Sequence, residues 1–249
     1  MDGWLPLDRP LRNQLTDAFL GAFADPAKRE ALGWLAVFCE LATDQAHAVV
    51  PVTALLQART GSGPAALQEA VASLGGLLQW RAAEPVALAP GPRMVARLAS
   101  VGEVVPIYLA VLREADEGGM ALAAMEPLSR AVAEAALCFN AGLFFEAHEH
   151  LEHRWVALPP GSVKRFLQGI IQVNVGLYHA RRGSYHGAVN QLAKGLDKLR
   201  GERGTVMGLD CDRFVRDVTA ALQRLTTQSA RDARSLPREE MPRMHLVMR

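Results

Sequence analysis

The side chains best suited to chemistry are gathered in one short stretch of the sequence, residues 144–156. Six imidazole or carboxylate groups lie there: Glu146, His148, Glu149, His150, Glu152 and His153. His148 and Glu152 are four residues apart, a spacing that places both on the same face of a helix. An imidazole and a carboxylate in that relation can bind a divalent metal ion or take part in proton transfer.

The helical periodicity of this stretch predicts which of these groups face the core. At about 100° per residue, His148 and Glu152 share one arc with the apolar residues Phe144, Ala147, Leu151 and Trp155. The opposite side carries Glu146, His150, His153 and Arg154, which we expect to be solvated. Because burying an unpartnered charge costs several kcal/mol, His148 and Glu152 are expected to meet polar partners.

The next helical segment, Val163 to Ala180, is predicted to supply those partners. It is apolar almost all round, which is typical of a helix packed against several neighbours. Its polar residues fall on one stripe: Arg165, Gln168, Gln172 and His179. Together the two segments predict one buried polar cluster of His148, Glu149, Glu152, Arg165, Gln168, Gln172 and His179.

Three interpretations of this cluster remain open. We favour a hydrogen-bonded network that sets the register of two helical hairpins in a non-enzymatic binding or interaction module. In the second, His148, Glu152 and His179, or Glu149, hold a divalent metal ion. In the third, Glu149 or Glu152 is a general base oriented by His148, and Arg165 binds an anionic group, as in a hydrolase. No cofactor is predicted under the first interpretation, and a zinc protease is excluded because Glu152 stands where the HExxH motif needs histidine.

The second half of the chain reads as a compact helical bundle. The pattern is helical from Ser129 to Thr226 and is broken at Gly142, 159–161, Gly183 and 201–208, which predicts about five helices and a flexible connector at the last break. Two segments align at an offset of 41: Gly142, Phe144, Ala147 and Leu151 with Gly183, Tyr185, Ala188 and Leu192. This pattern is similar to a tetratricopeptide (TPR) unit, but two units are too few for a solenoid.

The longest motif in the chain resembles the DUF309 family of small, all-helical proteins. The residues that carry the resemblance lie within about 133–200: Asn140, Gly142, Glu146, His148, Glu149, Glu152, Trp155, Gln168, Gln172, His179 and Gly183. Asn174 and Gly176 depart from the small apolar residues that are usual in the family. The resemblance implies an all-α fold and no established biochemical activity, and it assigns Asn140, Gly142, Trp155, Gly183 and Ala188 to the structural motif.

The first half, about residues 1–120, predicts a winged-helix-like domain. Three helices are expected, the first capped by Asp25 before Pro26 and the third from Pro64 to Leu74, followed by a short β-hairpin near Trp80. A winged helix that binds DNA needs basic residues around its third helix, and this one has Glu69 and no Lys or Arg. A protein partner or homo-oligomer is therefore favoured over nucleic acid, and a winged-helix DNA-binding regulator is the alternative.

Composition and charge further indicate the domain boundaries and the location of the protein. The 249 residues carry a net charge of +1, but the part before Met125 has 9 basic and 13 acidic residues and the part after it 18 and 13. We expect a domain seam between Glu114 and Pro127, a helical domain over 127–226 and a basic flexible tail over 227–249. Three separated cysteines and the lack of a signal or membrane-spanning segment predict a cytoplasmic protein with free thiols.

Overall fold

The structure is a computed structural model that describes residues 7–42, 48–82, 84–227, 236 and 240–247. These residues form 12 helices and five short strands, and 69% of the described residues are helical. The prediction of a mainly helical protein is confirmed. The chain divides into two compact units, Met1–Glu114 and Ala115–Arg249. The two units are described separately.

Unit 1 combines helices with one small antiparallel sheet. Its elements in chain order are α1 (Arg9–Gly21), α2 (Pro26–Leu41), β1 (Val50–Pro51), α3 (Val52–Ala58), α4 (Pro64–Ser73), β2 (Leu78–Arg81), β3 (Ala87–Pro90), α5 (Pro92–Val95) and α6 (Leu98–Glu117), the last of which contains the division. The strand order is β1-β3-β2. Leu88 lies at the centre, with Val50 opposite on one side and Trp80 on the other.

The local signals in unit 1 act as expected, but α1, α5 and α6 are not among the three helices that the sequence predicts. The Asp25 carboxylate accepts a hydrogen bond from the Ala27 amide and caps α2. Helix α4 begins at Pro64 and the β-hairpin follows it, as predicted. Helix α1 was not predicted. Its Phe19 ring is fully buried and stacks on Tyr108 of α6, with ring centroids 4.2 Å apart.

Unit 2 is a bundle built from consecutive helical hairpins. It comprises the short α7 (Gly119–Ala123), then α8 (Pro127–Asn140), α9 (Phe144–Trp155), α10 (Ser162–Arg181), α11 (Tyr185–Leu199) and α12 (Cys211–Thr227). The five helices expected in this region are confirmed. The stretch predicted to be a flexible connector instead contains an antiparallel hairpin, β4 (Thr205–Val206) and β5 (Leu209–Asp210).

The tail predicted to be flexible contains a described stretch that is packed against unit 2. Residues 240–247 contact β5 and α8, and Leu236 and Met244 are buried. The prediction therefore fails for these residues, because backbone pairing with β5 and burial of Met244 hold them in place. Four arginines of the predicted basic tail lie outside the described residues: Arg231, Arg234, Arg238 and Arg249.

The three cysteines are free thiols, as expected. Burial raises the pKa of Cys39 to about 12 and that of Cys211 to about 11. Cys138 is fully buried, and its pKa is raised by burial and then by the nearby charges of Glu146 and Glu134. None of the helices in the described part of the chain is long and apolar enough to cross a membrane.

Candidate functional site

Helix α9 carries most of the candidate residues, and it is buried on two sides. It packs against α8 on one side and against α10 on the other. As a result Glu146 is only 3% exposed and His150 only 8%. The prediction that Glu146 and His150 face solvent is wrong. An apolar arc identifies the helix face that packs against one neighbour, but it does not reveal that a second helix covers the polar face. His153 and Arg154 are exposed, as predicted.

Three of the predicted residues form one group on α9. The Nε2 atom of His148 lies 3.1 Å from Oε1 of Glu149 and 4.0 Å from Oε2 of Glu152. The ligand atoms of all three side chains lie within 4.8 Å of one another. The His148 side chain is 13% exposed and that of Glu152 is 47% exposed. We call these three residues the α9 triad. It lies at the surface, whereas the sequence predicts a buried cluster.

The imidazole of His148 is held in position by aromatic rings. It meets the Phe145 ring edge to face at 4.8 Å between centroids, and Phe145 in turn contacts Tyr178 of α10 at 5.5 Å. The Nδ1 atom of His148 is buried and has no hydrogen-bond partner among the described residues. The packing therefore directs Nε2 toward the two carboxylates, which gives the triad one nitrogen and two oxygen donors.

The other predicted cluster residues do not join the triad. Arg165 is exposed and donates to the carbonyl of Asp197 on α11 at 3.2 Å. The ring of His179 lies against Gly187 of α11, where a Cβ atom would be 3.0 Å from the His179 Cγ. Gln168 is half-buried, and the buried Oε1 of Gln172 has no partner within the described ranges. Arg165 and His179 are thus directed toward α11, and His179 is not part of the α9 triad.

The residues of the predicted structural motif lie at helix ends or make close packing and hydrogen-bond contacts. Gly142 and Gly183 end α8 and α10 with φ of 82° and 70°, a conformation that favours glycine. The Gly142 carbonyl accepts a hydrogen bond from Arg181 at 2.8 Å. The Trp155 indole donates to the Lys164 carbonyl at 3.1 Å, and Ala188 is fully buried on α11. The Asn140 side-chain amide contacts the backbone of Met244.

One buried pair was missed. Nε2 of His150 lies 2.8 Å from Oε2 of Glu134 on α8, and both side chains are largely buried. Glu146 and Cys138 lie near this pair, since the charges of Glu146 and Glu134 both raise the pKa of the Cys138 thiol. Glu134 and Cys138 on α8, and Glu146 and His150 on α9, are each four residues apart, so each pair lies on one helix face. This spacing could have revealed the cluster.

These observations define a helical domain in which α9 carries both the α9 triad and a buried pair of His150 with Glu134 of α8. The family model described as "Domain of unknown function (DUF309)" matches residues 132–191, and the chain contains a DUF309 domain there. The predicted resemblance is confirmed. A relative from Bacillus subtilis (strain 168), "Uncharacterized protein YpuF", is 36% identical over 96 residues, 38% of this chain and 55% of YpuF. The chain thus spans about half the length of this curated relative.

Proposed function

We propose that this protein is a binding module whose second unit takes up a divalent transition-metal ion at the α9 triad. The observation that carries the proposal is the convergence of one imidazole and two carboxylate ligand atoms within 4.8 Å. Such a nitrogen and oxygen donor set suits Zn²⁺, Mn²⁺ or Fe²⁺. Bond lengths of about 2.0–2.2 Å to zinc would fit between these atoms after small side-chain rotations.

The charges of the triad also favour a cation. Two carboxylates lie beside one imidazole, and a divalent ion would balance the two negative charges of Glu149 and Glu152. The partial exposure of Glu152 leaves a route for an ion to enter from solvent. Cysteine-based catalysis is disfavoured, because burial raises the pKa of all three thiols and leaves them protonated near neutral pH.

Metal titration tests this proposal. We expect purified protein to bind one Zn²⁺ or Mn²⁺ ion per chain, measured by calorimetry and elemental analysis. His148→Ala and Glu152→Ala should each weaken binding by about 10-fold or more, since changes in outer ligand contacts alone cost about 10- to 100-fold. His153→Ala is the matched control, because His153 is an exposed histidine on the same helix. Equal affinity in all three variants would refute the α9 triad as the metal site.

For unit 1 we propose a winged-helix arrangement that serves protein contact. The element order α2, β1, α3, α4, β2, β3 and the strand order β1-β3-β2 support it. Trp80 on the hairpin is 43% exposed, and Val86 beside it is also exposed. Large apolar side chains on an exposed hairpin favour a protein surface, either another protein or a second copy of the chain, over DNA phosphates.

A DNA titration separates these alternatives. Helix α4 has no Lys or Arg, so we expect no saturable binding of duplex DNA, even at about 50 mM salt where phosphate contacts are strongest. Fluorescence anisotropy with a labelled duplex measures this. Arg81 on β2 is the basic residue of the hairpin strands, so Arg81→Glu provides the comparison. Salt-dependent binding that Arg81→Glu abolishes would contradict the proposal.

For unit 2 we propose two TPR-like hairpins, α8 with α9 and α10 with α11. Each turn contains a glycine with positive φ, Gly142 in the first and Gly183 in the second. The second helix of each hairpin places a fully buried alanine at the same repeat position, Ala147 in α9 and Ala188 in α11. These equivalent positions support a duplicated unit, which would hold α9 with its triad at a fixed place in the bundle.

A further inference from the structure

We propose that unit 2 contains a peptide-binding groove and that the chain's own segment 240–247 fills it as an exchangeable ligand. The groove is formed by Asn140 at the end of α8, by Gly208 with strand β5, and by Arg224 on α12. It shares no residue with the α9 triad, so this proposal is independent of metal binding. We call segment 240–247 the tail strand.

Asn140 recognises the backbone of the tail strand. Its Nδ2 atom donates to the Met244 carbonyl at 2.9 Å, and its Oδ1 accepts from the Met244 amide at 2.9 Å. Both polar backbone groups of one residue are therefore satisfied by one side chain. Since this contact uses only backbone atoms of the ligand, it can hold an extended peptide of varied sequence.

The tail strand also pairs with the edge of the β4–β5 hairpin. The Asp210 amide donates to the His245 carbonyl at 2.9 Å, and the Val247 amide donates to the Gly208 carbonyl at 2.8 Å. Leu246 lies opposite Leu209 in an antiparallel bridge. Addition of an extended segment to a strand edge is a recurrent mode of peptide recognition, in which the backbone gives affinity and alternate side chains give specificity.

The side chains of the tail strand define the class of peptide. Pro242 and Met244 are buried, with Met244 only 1% exposed, whereas Arg243 between them is exposed. Glu240 pairs with Arg224 at 2.6 Å. The groove thus fits an extended peptide with an acidic residue followed, two and four positions later, by apolar residues that enter the unit.

The positions of these residues in the sequence favour the interpretation of the tail strand as a ligand and not as a core element of the domain. Asn140 lies inside the region 132–191 that matches the DUF309 model, whereas the tail strand lies outside it. The residue that recognises the backbone is therefore part of the shared domain, and the segment that it binds here is not. Gly208, β5 and Arg224 also lie outside that region, so the part of the groove that belongs to the shared domain is the backbone contact of Asn140, which can accept a segment from another source.

A labelled peptide of residues 236–249 tests the proposal on the full chain. The tail strand competes at an effective concentration of the order of millimolar, so the unchanged chain should bind the free peptide weakly. Met244→Asp puts a charge in the buried position and should release the tail strand, and we expect peptide binding to become about 10-fold tighter or more. Arg243→Asp, at the exposed neighbouring position, should leave binding as weak as in the unchanged chain. Asn140→Ala added to Met244→Asp should remove the gain.

A cleavable variant of the protein tests the proposal if Met244→Asp unfolds unit 2. A protease recognition sequence is inserted after Ala230, and the folded chain is cut there. Exchange of the cut tail for excess labelled peptide, with the helical circular dichroism unchanged, would support the proposal. A cut tail that never exchanges, or a loss of helicity when it leaves, would show that segment 240–247 is an integral part of the fold and overturn it. The proposal also fails if the folded Met244→Asp chain binds the peptide no better than the unchanged chain.

Discussion

Replacement of His150 by alanine is expected to lower the free energy of unfolding by about 3 kcal/mol or more, because it leaves the largely buried Glu134 carboxylate without this hydrogen-bonding partner. His150 lies 2.8 Å from Glu134, and their side chains are 9% and 15% exposed. Without the imidazole, the Glu134 carboxylate would remain largely buried without this partner, with Glu146 close by. The loss should be measured by urea unfolding followed by circular dichroism.

Two further variants give this prediction its controls. His153→Ala removes an exposed histidine from the same helix and should change the unfolding free energy by no more than about 0.5 kcal/mol. Glu134→Gln retains a hydrogen-bonding group opposite His150 and should cost less than His150→Ala. If His150→Ala is no more destabilising than His153→Ala, the Glu134–His150 pair does not support the packing of α8 against α9.

Replacement of Gly195 by valine is expected to destabilise unit 2 by about 3 kcal/mol, the upper end of the usual cost of overpacking. Gly195 lies where α11 crosses α10. A Cβ atom there would be 2.8 Å from the Gly169 carbonyl oxygen and 3.1 Å from the Val173 backbone nitrogen. Because backbone atoms cannot rotate away as a side chain can, the two helices would have to separate. The gain of about 1 kcal/mol in replacing a helical glycine does not offset this cost.

The matched control for this prediction is Gly201→Val. Gly201 follows α11, and an added Cβ atom there would meet nothing within 4 Å. Its unfolding free energy should stay within about 1 kcal/mol of that of the unchanged chain. Thermal unfolding of the two variants side by side makes the comparison. Equal midpoints would mean that the crossing of α10 and α11 can widen without cost.

The sequence predicted the elements of unit 2 well because the signals for them are local. Breaks at Gly142 and Gly183 correspond to helix ends, and the family motif placed α8 to α11 correctly. The arrangement of polar groups around α9 was harder to predict. The hydrophobic periodicity of a sequence shows which face of a helix is apolar, but it does not reveal how many other helices pack around that helix. His150 was therefore assigned to solvent although it is buried, and Glu152 was assigned to the core although its side chain is 47% exposed.

The predicted cluster also joined residues that the fold keeps apart. Arg165 and His179 share a polar stripe with Gln172, yet Arg165 and His179 are directed toward α11 and away from the triad. The sequence of α10 fixes this stripe, but the rotation of α10 between α9 and α11 depends on side-chain packing. Helices α10 and α11 approach closely at Gly176 and Gly195, and the sequence of either helix alone does not predict this contact.

The tail strand was predicted to be flexible for a similar reason. Its prolines and arginines show no periodicity, and the contacts that hold it come from distant residues. Asn140 and Met244 are 104 positions apart. These hydrogen bonds leave no pattern in the sequence of the tail strand, because on that side they use only backbone atoms.

That separation also sets an order of assembly. Closing a loop of 104 residues costs about 3 kcal/mol more in chain entropy than closing a turn of about five residues between consecutive helices. The helical hairpins therefore form first, and the contact of Asn140 with Met244 forms late. During synthesis, which proceeds from the amino terminus, Asn140 leaves the ribosome long before Met244. The groove is complete only when Arg224 has also been made, so it is empty in a nascent chain that extends past Arg224 but not yet to Met244. At that stage an extended segment of another polypeptide has no intramolecular competitor.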